Sequence, residues 1–186
     1  DQGVDPDDID TQTFTNFMGL QDPGEPAVFH SAEELNSFFV DTPWPGIRLL
    51  PGGPSIQESD ISLFLYMQKT KGGDPSFATM LREALRKHDE AYQPKSKAAD
   101  LVDRSGNIIE DRYQAALKEA FDVVIIDCQP ALSMAMLNAI VAGTSLIIPT
   151  PLKGWDLHTT KLYTTSAFDL VDWLQREQNL EFPPGN

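Results

Sequence analysis

The chain has 186 residues, one cysteine and a formal net charge of −14. That length suits one domain with a sizeable core and is short for two, and no apolar stretch approaches the ~20 residues that cross a bilayer. The acidic balance argues against a strong nucleic-acid surface on this segment alone, since phosphate binding needs clustered Lys and Arg, and a single cysteine excludes a disulfide framework.

Asp1 to Asp10 is acidic and poor in apolar residues, and is expected to be mobile. Ile9 to Gly19 reads as a capped helix start. Gln21 to Pro26 is a turn-rich linker. Ser31-Ala32-Glu33-Glu34 is a capping box, and Leu35, Phe38 and Phe39 supply the apolar face of the helix it opens. Thr42-Pro43-Trp44-Pro45-Gly46 breaks that helix. Ile47 to Leu50 reads as a short strand. Ile61 to Met67 is apolar apart from Ser62, and periodicity alone does not separate strand from helix there.

Lys71-Gly72-Gly73 begins as a phosphate loop does. The continuation is Asp74-Pro75-Ser76, without the Gly-Lys-Ser/Thr that would contact phosphates and Mg²⁺. A plain loop before a helix is the expectation. From Ser76, as cap, the spacing Phe77, Met80, Leu81, Ala84, Leu85 predicts an amphipathic helix, which Pro94 ends. Lys95-Ser96-Lys97 is read as a solvated loop. Ile109, Tyr113, Ala116, Leu117 and Ala120 mark a further helix.

That helix delivers the chain into Phe121-Asp122-Val123-Val124-Ile125-Ile126-Asp127-Cys128-Gln129-Pro130. Four consecutive β-branched residues predict a strand buried on both faces of a parallel sheet, with Cys128 in the core. The run delivers one carboxylate, Asp127, at its end. A carboxylate so placed is a Walker B arrangement, able to hold a Mg²⁺-bound water or to orient a nucleophilic one; the plain alternative is an acidic turn. Leu132 to Ala142, ended by Gly143, predicts a helix packed on a sheet. Thr144 to Ile148 is a second β-rich run closed by Pro149-Thr150-Pro151, so the whole reads as a right-handed βαβ unit. Asp156 is expected to cap a last helix whose face is Leu162, Tyr163, Ala167, Leu170, Val171 and Leu174, with Trp173 at its edge. His30, His88 and His158 show no metal-ligand spacing.

The segment FDVVIIDCQPALSMAMLNAIVAGTSLIIPTPLKGWDLHTTKLY resembles the ParA/Soj group of deviant Walker ATPases. The ordered combination of Asp127, Pro130, Asn138-Ala139, Pro149 and Asp156 carries the resemblance over roughly the last third of the chain. A looser likeness extends to the start. The resemblance implies an α/β domain with a largely parallel sheet flanked by helices, of the P-loop type. It favours helix for Ile61 to Met67. It matches Asp10 and Gln12 to a second catalytic signature, although Thr11 stands where Pro is usual and a rival alignment uses Asp1-Gln2. It makes Asp127 and Asp10 the catalytic candidates and Asp127 the Mg²⁺ ligand, and it places Pro149, Pro151 and Asp156 near the nucleotide, with a dimer contact as the other option for Asp156.

The group's cofactors are ATP or ADP with Mg²⁺. It forms ATP-driven homodimers in the cytoplasm that bind DNA non-specifically on the nucleoid, away from the membrane, and its partner is a ParB-like centromere-binding protein. On this reading residues 1–186 are a partial nucleotide-binding domain, the phosphate loop lies upstream of Asp1, and no tightly bound nucleotide is expected on this segment alone. Two alternatives stay open: a nucleotide-free ParA-like interaction module, and a MinD-like ATPase with a different cargo.

Overall fold

The computed structural model of the chain describes residues 14–20, 28–52, 56–69, 76–93, 101–129, 133–150, 154–177 and 179–181. The expectations for Asp1–Asp10, for the Lys71-Gly72-Gly73 loop, for Lys95–Lys97 and for Pro130 and Pro151 lie outside them.

The first described element is a single helical turn, α1 (Phe14–Phe17). It ends at Gly19, whose φ of +74° suits a residue without a Cβ. A Cβ there would stand 1.9 Å from the carbonyl oxygen of Val28, which no side chain tolerates. The tight turn lets the N–H of Val28 donate to the Gly19 carbonyl at 2.8 Å.

Helix α2 (Ala32–Ser37) begins as its sequence dictates. The N–H of Glu34 donates to Ser31 Oγ, and the N–H of Ser31 donates to the Glu34 carboxylate, so two orphan amides are satisfied reciprocally. Leu35 is buried, and Phe38 and Phe39 pack against the same cluster. The Pro-rich stretch then turns the chain through an antiparallel pair, β1 (Val40–Asp41) with β2 (Arg48–Leu49), with Gly46 at a φ of +77°.

Ile56–Lys69 is helical (α3), in accord with the resemblance. Helix α4 (Ser76–Tyr92) takes Ser76 as its first residue and buries Phe77, Leu81 and His88 on one face. Leu101 to Ile109 forms a small closed turn in which Val102 bridges Ile108. Asp103 anchors it, accepting from the N–H groups of Ser105 at 2.8 Å and Asn107 at 2.9 Å. Helix α5 (Glu110–Glu119) follows and buries Ala116. Helix α6 (Met134–Ala142) starts at Ser133 and stops at Gly143. Helix α7 (Gly154–Glu177) ends before Asn179, whose φ of +51° returns Leu180 to the core, where its N–H donates to the Leu174 carbonyl.

Helix α6 is the hub. Ala139 belongs to a cluster with Phe17, Leu35, Leu63 and Leu81; Leu137 and Val141 belong to a second with Phe77, Ala78, Leu174 and Leu180. Fully buried leucines such as Leu63, Leu81 and Leu174 each contribute on the order of 1.5–3 kcal/mol. A helix this apolar is at home only with neighbours on several sides.

The described residues contain one sheet, the β1–β2 pair. Residues 123–129 and 145–150 run without turn, bend or ladder partner among the described residues, as lone extended segments do. Their outer side chains are open to solvent: Val123 is 74% exposed, Ile125 88% and Ile147 86%. This differs from a strand buried on both faces. The physical reason is that a strand is covered only when neighbouring strands and a second helical layer are present.

Two further corrections concern the last third. Cys128 is exposed, because its segment lies at the surface. Helix α7 starts at Gly154, so Asp156 lies inside the first turn and is not the N-cap, and Leu162 is 57% exposed while Ala167 and Leu174 carry the buried face. Trp173 lies at the edge, at 40%. No helix among the described residues is long and apolar enough to cross a membrane.

Candidate functional site

A cleft of about 460 Å³ runs along the extended segment that follows α5. One wall is Phe121 and Val123 to Gln129. The other is made by Leu81 and Leu85 of α4 and by Ala135, Met136 and Ala139 of α6. Asp127, Cys128, Gln129 and Ser133 line it together, with Arg48 and Phe39 among the remaining lining residues. Asp127 is exposed and follows Ile126, whose side chain packs against the Phe17–Leu81 cluster. Ile126 thus holds the end of the segment on the core, and Asp127 next to it lines the cleft.

Cys128 shows how the local field acts. Partial desolvation, and then the neighbouring negative charge of Asp127, push its thiol above the usual cysteine range. Burial, and then the same thiol, push the Tyr163 hydroxyl up as well. The Tyr163 hydroxyl meets Met136 Sδ and ties α7 to α6. Gln129 Nε2 reaches Ser133 Oγ at 3.4 Å.

The start of α6 faces the same region, and two of its first amides have side-chain acceptors. The N–H of Met136 donates to Ser133 Oγ at 3.1 Å, and the N–H of Ala135 donates to the Asp60 carboxylate at 2.9 Å. A carboxylate at that position also suits the positive end of the helix dipole.

At the start of the segment, a polar cluster fixes Phe121. Arg48 Nη1 donates to Asn36 Oδ1 at 2.8 Å and to Glu119 at 3.0 Å; Nη2 donates to the carbonyls of Asn36 and Phe39. Arg48 Nε lies 3.5 Å from the Asp41 carboxylate, an ion pair without a hydrogen bond. Asn36 Nδ2 donates to Glu119 at 2.7 Å, and His88 Nε2 meets Asn36 Oδ1 at 3.0 Å. The buried His88 ring stacks on Phe121 with centroids 5.2 Å apart, and the Arg48 guanidinium lies over the Phe121 and Phe39 rings. This cluster is absent from the expected site. His88 continues the Phe77, Leu81, Ala84 stripe by four residues, and that spacing was the signal for its burial.

Of the expected site residues, Asp127 lines the cleft. Pro149 is exposed and is not part of the lining among the described residues. Asp156 falls in the first turn of α7. Asp10 and Pro151 lie outside the described residues. Among the described residues no three His, Cys, Asp or Glu side chains form a metal cluster. A single carboxylate fits Mg²⁺ of the kind that keeps its waters and shares its shell with substrate phosphates.

Residues 98–177 match the family model of an AAA domain. An uncharacterized protein of Pseudomonas putida strain KT2440 is 35% identical over 82 residues, which is 42% of this chain and 28% of that protein. An uncharacterized protein from the gidB 3' region of Pseudomonas putida matches with the same identity and shares. The chain therefore spans well under half the length of these curated relatives. No solved structure matches the chain. The family match relates residues 98–177 broadly to the P-loop ATPases.

Proposed function

We propose that this chain is the carboxylate-bearing part of a ParA-type partition ATPase. The observation that carries the reading is Asp127: it ends an apolar run, it lines a cleft, and it lies inside the stretch related to P-loop ATPases. In the proposed sheet, 121–127 and 144–150 are parallel neighbours joined by α6. Mg²⁺, when bound with ATP, would supply charge neutralisation at the phosphates. Asp127 would hold that ion through its waters and orient the attacking water, and the apolar wall would limit access of bulk solvent. The same reading assigns a homodimer, non-specific DNA contact on the nucleoid and a ParB-like partner to the whole protein.

The test uses a protein extended upstream to a Gly-Lys-Thr loop. Asp127→Ala should abolish phosphate release while the melting curve barely moves, because exposed strand-end changes usually fall within ~0.5 kcal/mol. Normal turnover with a lowered melting temperature would sink the assignment and leave Asp127 as a turn cap. The Lys71-Gly72-Gly73 sequence favours a second reading, a nucleotide-free interaction module, because its continuation lacks the lysine and hydroxyl for phosphates. Calorimetry with Mg-ATP on the 186-residue chain bears on it: micromolar affinity lost in Lys71→Ala would exclude that second reading.

A further inference from the structure

The first turn of α6 is held from two sides. Ser133, its own N-cap, accepts from the N–H of Met136 at 3.1 Å. The other acceptor comes from 75 residues away: Asp60 of α3 accepts from the N–H of Ala135 at 2.9 Å. Helix α3 packs against α6 and delivers Asp60 there by register. Asp60, Leu63 and Met67 follow at i, i+3 and i+7 along one stripe of α3. Leu63 is fully buried in the cluster that contains Ala139, and Met67 packs on the cluster of Leu137 and Val141. The apolar part of the stripe meets the body of α6. Its first member, one turn earlier, puts a carboxylate at the positive end of the same helix. A carboxylate there adds no apolar contact, so what it contributes is the bond and the charge.

This end of α6 is also tied to the candidate carboxylate. Gln129 Nε2 reaches Ser133 Oγ at 3.4 Å, and Asp127 is two residues before Gln129. Asp127, Gln129, Ser133 and Ala135 line the same cleft, whereas Asp60 is not among its lining residues. We propose that Asp60 is a positioning residue for Asp127. It fixes the start of α6 and, through the contact of Ser133 with Gln129, the setting of Asp127 at the cleft. Ser133 alone does not achieve this, because a cap on a helix's own first turn moves with the helix. Asp60 ties that turn to a different element. The inference rests on the reading of Asp127 as the carboxylate that orients the attacking water, a task sensitive to small misplacements.

The test compares variants of the 186-residue chain and of the protein extended upstream to a Gly-Lys-Thr loop. Asp60→Ala removes the acceptor, and Asp60→Asn keeps an oxygen there while dropping the charge. Ser31→Ala, a lost cap on α2, controls for general loosening. Well below melting, Asp60→Ala should speed amide exchange at Ala135 by about tenfold or more, and iodoacetamide alkylation of Cys128 by roughly twofold or more. Asp60→Asn should stay near the wild type, and Ser31→Ala should change neither rate. In the extended protein Asp60→Ala should lower kcat for phosphate release roughly tenfold, with KM for ATP within about twofold, and Asp60→Asn should restore most of it. Unchanged exchange at Ala135, an Asn variant as impaired as Ala, or an equal effect of Ser31→Ala on Cys128 would overturn the proposal. So would full kcat in Asp60→Ala beside an inactive Asp127→Ala. Normal turnover in Asp127→Ala would overturn the ATPase reading, and with it the catalytic purpose of the anchor, whereas the exchange and alkylation rates would still show whether Asp60 fixes the turn.

Discussion

Asn138 reaches from α6 into α4, its Nδ2 donating to the carbonyl oxygen of Phe77 at 2.9 Å. The same side chain accepts from the N–H of Leu81 at 3.3 Å and is fully buried. A polar group so placed is stable only because its bonds are made. Asn138→Leu keeps roughly the volume and removes both bonds to α4, whose Phe77 carbonyl and Leu81 N–H are left with each other as i, i+4 helical partners, so urea unfolding should show a loss of about 0.5–1.5 kcal/mol. A loss below ~0.5 kcal/mol, the size expected at a surface position, would show that the bond does not couple the two helices.

The capping box of α2 gives a pH signature. The N–H of Ser31, and then its hydroxyl, hold the Glu34 carboxyl below its ordinary 4.5. A depressed folded value contributes stability above the unfolded value and loses it as pH falls through the folded one. The melting difference between the wild type and Glu34→Gln should therefore be flat above pH 4.5 and shrink on acidification below it. Ser31→Ala, followed at neutral pH, should cost about 1 kcal/mol. A difference that grows toward low pH would contradict the sign.

Arg48 joins α2, β1, α5 and the start of the extended segment through a fork that lysine does not reproduce. Arg48→Met retains stem packing and leaves Glu119 and two carbonyls short of donors. A loss of roughly 2–3 kcal/mol is expected, since hydrogen bonds to charged groups carry about 1.5–3 each and part of the site stays wet. Arg48→Lys should recover less than half. Full recovery by lysine would mean that charge alone, and not the fork, holds the cluster.

The lone thiol reports on the candidate carboxylate. Desolvation, and secondarily the charge of Asp127, keep Cys128 protonated above its usual range. Asp127→Asn removes the second cause, so alkylation by iodoacetamide at fixed neutral pH should speed up by roughly twofold or more. Mass spectrometry of the modified chain gives the rate. A slower or unchanged rate would place the carboxylate away from the sulfur.

Local rules carried far. Ser31 with Glu34, and Gly143 after an apolar run, set the ends of α2 and α6 from neighbouring residues alone. Phe77 with Leu81 fixed the buried face of α4, and the same periodicity reached His88, where a polar residue type hid a core position. Asn138 carried the family resemblance in the sequence, and its buried bonds to α4 came from packing. The meeting of Asn36, Arg48 and Glu119 was not legible, because residues so far apart are joined by packing and not by spacing. Asp127 was legible as the end of an apolar run. The exposure of Val123 and Ile125 was not, since four β-branched residues read alike whether their neighbours are present or absent.

The closed turn at Asp103 to Asn107 has a consequence for how the chain can be rebuilt. Helices α4 and α6 meet across everything between Gln93 and Ser133, and the entropy of closing such a loop grows by only ~0.6 kcal/mol per doubling of its length. The turn seals itself through the Asp103 carboxylate, and Gly106, at a φ of +84°, faces open space. Extra chain grafted at this tip would hang from a stem that already closes on its own, so the tip is where the polypeptide can be lengthened without unseating the helices on either side.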